Sequence, residues 1–179
     1  MKFLIASDLH GSAGACRRLM ERFNQERAQT LILLGDILYH GPRNPLPESY
    51  SPKDAADILN SKADKIFCIR GNCDADVDQA MLRFPITAPQ ALIYADSMAW
   101  FLTHTSGIGN PPPMGGIDVI LEGHTHIPLL SRSGTVIRLN PGSVSLPKGG
   151  FPATYAVYEN RAFTIYDMAG AVVSTLEIG

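Results

Sequence analysis

Long apolar runs, clustered charge of one sign and paired cysteines are all missing from this chain. No hydrophobic stretch approaches the roughly 20 residues of a membrane span. The apolar segment after Met1 stops at Ser7-Asp8, too short for a secretory leader. A cytoplasmic protein with no membrane partner is expected. Fifteen Lys and Arg against seventeen Asp and Glu give a net charge of −2, which leaves no basic track for long nucleic acid. The partner should be small. Three cysteines, Cys16, Cys68 and Cys73, form no CxxC pair and suit a reducing compartment better than a disulfide framework. Glycine and proline, by contrast, are plentiful at 16 and 13, implying many tight connections. At 179 residues and 45% hydrophobic, the chain is expected to be a single domain, 1–179, around one substantial core.

The run Thr30-Leu31-Ile32-Leu33-Leu34-Gly35-Asp36 reads as a short strand buried on both faces, because a helix would need more length and a polar side. Phe3-Leu4-Ile5-Ala6 reads likewise and runs into Ser7-Asp8-Leu9-His10-Gly11. Between them Ser12 can cap a helix whose Cys16, Leu19, Met20 and Phe23 form one apolar stripe, with Cys16 in the core. Strand, helix and strand make a right-handed βαβ unit, so Asp8, His10 and Asp36 share the sheet edge where α/β folds hold ligands. Extended spacing sets Asp8 and His10 on one side, about 6 to 7 Å apart.

Ser51-Pro52-Lys53-Asp54 opens a second helix with Ser at the cap, Pro in the first turn and Ile58 and Leu59 on its apolar side. A third buried strand, 65–69, empties into Arg70-Gly71-Asn72-Cys73-Asp74. Residues 90–94 and 99–103 pair around Ala95-Asp96-Ser97, the second run ending at His104. Residues 117–122 end in Gly123-His124-Thr125-His126. Stretches 136–140, 154–158 and 162–166 alternate in period two, with a tight turn at Glu159-Asn160, so the C-terminal part is expected to be antiparallel. Asn140-Pro141-Gly142-Ser143 makes a rigid corner.

Four of the five histidines, His10, His104, His124 and His126, follow strand ends beside glycine or small polar residues. Singly, each is more often structural than a ligand. Together with Asp8, Asp36 and Asn72 they present only oxygen and imidazole nitrogen from five loops. That set exceeds one tetrahedral zinc site, and sulfur-rich spacing is absent. Two divalent ions sharing a carboxylate would use every member, with Asp36, on the central strand, as the bridge. The loop 37–47 carries His40, Arg43 and Asn44, candidates for substrate contact against the plainer reading of a packed surface loop.

Asp8-x-His10, Gly35-Asp36, Gly71-Asn72-Cys73-Asp74, His104 and Gly123-His124-Thr125-His126 resemble, in this order, the motif set of calcineurin-like metallophosphoesterases. The short length, the His40-Gly41-Pro42-Arg43-Asn44 loop and the run from Asn140 to Ser145 resemble in particular the small bacterial YfcE-type phosphodiesterases. The resemblance implies an α/β fold, a two-sheet mixed β-sandwich flanked by helices, with two divalent metal ions at the strand ends. Mn²⁺ is expected, although Fe, Zn and Mg suit similar ligands. By motif, Asp8, His10 and His126 hold the first ion, Asn72, His104 and His124 the second, and Asp36 lies between. Asp36, Asn72, Cys73 and Asp74 form the implied catalytic set. The implied reaction is hydrolysis of a small phosphodiester by hydroxide drawn from water shared by cations about 3.5 to 4 Å apart.

Two departures stand out. Many members of the wider family have histidine where Cys73 stands, able to protonate the leaving oxygen; a thiol with an ordinary pKa near 8.5 is a poorer acid at neutral pH. Aryl diesters, whose leaving group needs little protonation, are therefore the expected substrates. His104-Thr105-Ser106 stands where close relatives have His-Gly-His, which alters a neighbour of the ligand. The alternatives are a phosphomonoesterase on the same site and a non-catalytic scaffold of the same fold, such as the retromer subunit. A homo-oligomer is compatible with the sequence.

Overall fold

The computed structural model of the chain describes residues 1–105 and 115–179. Ser106 therefore lies outside the described residues. The elements run β1 (Lys2–Ala6), α1 (Ala13–Gln25), β2 (Thr30–Leu33), α2 (Pro52–Asn60), β3 (Ile66–Cys68), β4 (Gln90–Ala95), β5 (Met98–Thr103), β6 (Val119–Leu121), β7 (Pro128–Ser133), β8 (Val136–Pro141), β9 (Thr154–Glu159), β10 (Ala162–Asp167) and β11 (Val172–Glu177).

Two sheets form, ordered β11-β10-β9-β1-β2-β3 and β4-β5-β6-β8-β7. Both are mixed: β1, β2 and β3 are parallel, as are β5, β6 and β8, while the outer strands pair antiparallel. The unbroken apolar runs follow from burial on two faces. Leu4, Ala6, Leu31 and Leu33 pack in one core cluster with Cys16, Leu19, Met20 and Phe23 of α1 and Ala55, Ala56 and Leu59 of α2. Their alternates Ile5, Ile32 and Leu34 face the second sheet and meet Trp100, Leu102, Val119, Leu121, Ile137 and Leu139. Trp100 anchors this inter-sheet layer, its ring 5.6 Å from Phe3, 4.7 Å from Tyr158 and 5.1 Å from Phe163.

Several expectations are corrected. β3 is an edge strand, with no strand beyond it among the described residues, and Phe67 in its middle is 37% exposed. Ser51 precedes α2, but its hydroxyl donates to Asp54 (2.8 Å) instead of capping a backbone N–H. Ile58 is only partly buried, and Ala55, Ala56 and Leu59 form the packed face of α2. The turn between β9 and β10 falls at Asn160 and Arg161, both at positive φ, one residue later than the sequence suggests. β8 is parallel to β6, so the second half is not uniformly antiparallel. β7 and β11 escaped the pattern because most of their residues are partly or fully exposed. The β4–β5 hairpin is as read: Asp96 and Ser97 take φ of 48° and 64°, the geometry that matches strand twist, and Asp96 accepts a bond from Tyr158 of the other sheet (2.7 Å).

Ser12 caps α1 by accepting from the backbone N–H of Ala15 (3.1 Å) while its hydroxyl donates to the carbonyl of Glu48 (2.7 Å). Ser12→Ala is expected to destabilise the fold by about 1 to 2 kcal/mol, read as a lower urea midpoint at constant m-value.

Candidate metal centre

The parallel strands β1, β2, β3, β5 and β6 release the chain at one rim, and the polar residues beyond them meet there. The turns are sharp. Asp8, His10, Asp36, His124 and His126 all have positive φ, between 50° and 70°. Asp8 and His10 have thus left the strand, and the extended spacing expected for them does not hold. The backbone N–H groups of Leu9 and His10 both donate to the carbonyl of Asp36 (2.9 Å each), locking the β1 loop to the β2 loop. His10 Nε2 lies 3.6 Å from Asp8 Oδ1 and 3.7 Å from Asp36 Oδ2. His126 Nε2 lies 3.3 Å from Asp8 Oδ1, and His104 Nε2 lies 3.4 Å from Asp36 Oδ2.

The donor set fits a divalent cation, and the orientation of each ring shows why. The Nδ1 of His10, His104 and His126 donates to the carbonyls of Tyr39 (2.8 Å), Leu34 (2.6 Å) and Leu146 (2.6 Å). A carbonyl can only accept, so a neutral imidazole there carries its proton on Nδ1 and turns a bare lone pair on Nε2 inward. His10 Nε2 faces His126 Nε2 at 3.2 Å, and His104 Nε2 faces Asn72 Oδ1 at 3.1 Å. Asp8 Oδ1 is buried at the centre without a hydrogen-bond partner. Acceptors facing acceptors require a positive species between them. Ligand atoms within 4.8 Å of one another form the sets Asp8/His10/His126, Asp8/Asp36/His104 and His10/Asp36/Cys73. His124 is less committed: its ring is half-buried, 5.3 Å from that of His104, and its backbone N–H donates to Asp8 Oδ2 (3.0 Å).

Without a cation, protons answer the same demand. Burial works against an imidazolium at His104, but Asp36 and Asp8 outweigh it and raise the pKa to about 9. Burial likewise favours neutral Asp8, yet the nearby imidazoles of His10, His126 and His104 hold its carboxyl far below the usual range. At His124, burial and the neighbouring His104 push the pKa down.

Asp74, placed by motif in the catalytic set, has its carboxylate bonded to backbone. Its Oδ2 accepts from the backbone N–H groups of Asp36 (2.9 Å) and Gly71 (2.7 Å), and its Oδ1 from that of Ile37 (2.7 Å). It fixes the Asp36 turn, and the residue also borders the cavity over the ligand cluster. Gly71 is required beside it, since a Cβ there would collide with the backbone and carboxylate of Asp36. Sequence reasoning missed the supports contributed by the Asn140–Ser145 corner. Ser143 and Ser145 both donate to the carbonyl of Asp8 (2.7 and 2.9 Å), and Asn140 donates to Gly123 O (2.7 Å) and Thr125 Oγ1 (3.0 Å), bracing the loop that carries His124 and His126.

Over the cluster opens a cavity of about 900 Å³ whose walls include Arg43, Asn44, Arg70, Asn72, Cys73 and Lys148. Of the proposed substrate contacts, Arg43 and Asn44 line it. His40 does not; its neighbour Tyr39 does.

Residues 1–162 match the profile of the calcineurin-like phosphoesterase superfamily domain. The chain belongs to that superfamily. It is 47% identical over 167 residues to Phosphodiesterase YfcE of Escherichia coli K12, covering 92% of this chain and 91% of the relative. The solved structure of E. coli YfcE, a phosphoesterase, superposes with a TM-score of 0.95 at 43% identity over the whole of both chains. Vps29 of Entamoeba histolytica, solved with zinc, shares the fold alone, with 19% identity, 98% coverage of each chain and a TM-score of 0.67. Cys73 brings a thiol to the cavity wall. Burial first, and then the charge of Asp36, push its thiol up to about 12.

The raised pKa of His104 sets a sign for metal binding. A proton held more tightly in the folded than the unfolded chain stabilises the cation-free protein below about pH 6.5, and that contribution is lost as pH rises through about 9. A cation must displace this proton. Mn²⁺ affinity is expected to rise from about pH 6.5 to about pH 8.5, with proton release visible by calorimetry in two buffers of different ionisation enthalpy. Affinity that falls over this range would contradict the geometry.

Proposed function

We propose that the protein is a cytoplasmic phosphodiesterase that uses two divalent cations, manganese the expected pair, to hydrolyse small phosphodiesters. The observation carrying this reading is the unpartnered, buried Asp8 Oδ1 at the centre of inward-turned imidazole nitrogens on the floor of an open cavity. The close relative named a phosphodiesterase supports it. Three unpaired cysteines and the near-neutral net charge support the reducing compartment and a small substrate rather than long nucleic acid. No helix among the described residues is long and apolar enough to cross a membrane.

A bound pair of divalent cations would supply an activated water at neutral pH and neutralise charge on the phosphoryl oxygens. The chain does the positioning. Asp36 accepts the Cys73 N–H on Oδ1 (2.7 Å), which leaves Oδ2 turned toward His10 and His104, a stance suited to a bridging ligand. Asn72 offers Oδ1 beside His104 while its amide NH₂ donates to Cys73 Sγ (3.2 Å). Arg43 and Lys148, both exposed at the cavity wall, are suited to orient an anionic substrate.

Cys73 lies where a leaving group would need a proton, and a thiol with a pKa near 12 is a poor donor at pH 7. Leaving groups that depart unprotonated, such as nitrophenolates, fit this wall. The reading is tested with bis(4-nitrophenyl) phosphate and 4-nitrophenyl phosphate, each with Mn²⁺ and with EDTA. Turnover is expected mainly of the diester and only with metal; monoester turnover alone would favour a phosphomonoesterase, and turnover of neither the scaffold.

Asp36→Asn keeps the Oδ1 acceptor and is expected to stay folded by circular dichroism, with diester hydrolysis reduced at least roughly 100-fold; His124→Ala should behave alike. Full turnover in either metal-reconstituted variant would remove that residue from the site. Cys73→His supplies an acid with an ordinary pKa near 6.5 and is expected to raise kcat/KM toward poorer leaving groups, flattening the dependence of rate on leaving-group pKa. An unchanged slope would assign Cys73 to packing.

A further inference from the structure

The upper wall of the cavity holds a large aromatic side chain that the metal chemistry does not need. Tyr39 follows β2 by a few residues, and its carbonyl is committed to the ring of His10 (2.8 Å), so its backbone is pinned to the ligand cluster. The residue nevertheless stays 41% exposed and lines the cavity. A ring of that size is left open to water at a fixed position.

What fixes the ring is a short aromatic relay. Tyr39 meets His40 at 4.7 Å between centroids with the planes 67° apart, and His40 meets Tyr50 at 5.3 Å with the planes 84° apart. His40 Nδ1 also lies 3.4 Å from the Tyr50 hydroxyl. In an edge-to-face contact at most one face of one ring is covered by the other. Whichever ring supplies the edge, at least one face of Tyr39 is left without cover from His40. Pro42 and Pro45 line the same cavity and extend its apolar surface. A volume of about 900 Å³ is far more than a phosphoryl group alone would fill.

We propose that Tyr39 is a specificity-determining residue, a stacking platform for an aromatic arm, aryl or nucleobase, of the phosphoester bound at the metal centre. This rests on the phosphodiesterase reading and narrows it to a substrate class. His40 acts behind the platform as a positioning residue, which accounts for its absence from the cavity wall. A stacked ring on an aromatic face is worth roughly a tenfold gain in binding.

The test uses Mn²⁺-loaded protein and two competitive ligands differing only in the group on phosphorus, phenylphosphonate and methylphosphonate. Their inhibition constants are measured against bis(4-nitrophenyl) phosphate, and their binding constants by calorimetry, which needs no turnover. The wild type is expected to prefer the phenyl compound by roughly tenfold. Tyr39→Ala should collapse that ratio toward one, while Tyr39→Phe should retain it. The ratio is the readout because the carbonyl that holds His10 survives both substitutions, so methylphosphonate serves as the internal reference. Equal binding of both phosphonates by the wild type, or a ratio that survives Tyr39→Ala, overturns the platform and leaves the phosphodiesterase reading standing. Failure of the loaded protein to bind either phosphonate overturns both.

Discussion

Everything at the rim of the two sheets depends on a surplus of acceptors turned toward one point. Backbone carbonyls of Leu34, Tyr39 and Leu146 take the Nδ1 proton of three imidazoles, and the carboxylates of Asp8 and Asp36 complete the ring. Such an arrangement is unfavourable by itself, since buried lone pairs repel and an unpartnered carboxylate oxygen costs desolvation energy. The cost is compounded by the backbone, where five of the candidate ligands sit at positive φ, each worth of order 1 kcal/mol of strain outside glycine. The fold holds this arrangement in place, and a cation is what relieves it.

The stabilising side of the balance lies away from the site. The two hydrophobic layers, one between sheets and one under the helices, consist of side chains that are almost entirely buried. Each fully buried Leu or Ile contributes about 1.5 to 3 kcal/mol, so a few of them offset the strain at the rim. The local work is done by polar braces. Asp74 gathers three backbone N–H groups around the Asp36 turn, and the Ser143 and Ser145 hydroxyls both close on the carbonyl of Asp8. Loops from sheet one and sheet two are thereby joined through hydrogen bonds rather than through further secondary structure.

Much of this was legible in the sequence because burial on two faces writes an unambiguous pattern. Leu31 to Leu34 could only be a strand with a neighbour on each side, and the polar residues after each such strand had to share an edge. The ordering of Asp8, His10, Asp36, Asn72, His104, His124 and His126 carried the family. Less legible were the elements whose periodicity is weak: β7 and β11 are exposed for most of their length, and Phe67 reads as buried until its edge position is known. Side-chain direction was not legible either. Asp74 follows the ligand motif and looks catalytic, but the chain turns its carboxylate inward toward backbone. Tyr39, not His40, lines the cavity, and its carbonyl is bonded to His10.

The same sandwich underlies both the E. coli phosphodiesterase and the zinc-bound Vps29 of E. histolytica, so the sheets alone do not decide what the rim does. The floor and the walls of the cavity answer different questions. The floor is built from side chains at strand ends, their rings oriented by backbone carbonyls, and it gathers the candidate cation ligands. The walls come from loops. There stands the Cys73 thiol, Gly41 brings the 39–45 loop close enough that a Cβ would press on Cys73 Sγ at 2.9 Å, and the ring of Tyr39 borders the same cavity. Packing Cys73 against that loop keeps its thiol partly desolvated and neutral. The weakly acidic thiol and the open aromatic ring thus stand on one wall, joined by one close approach.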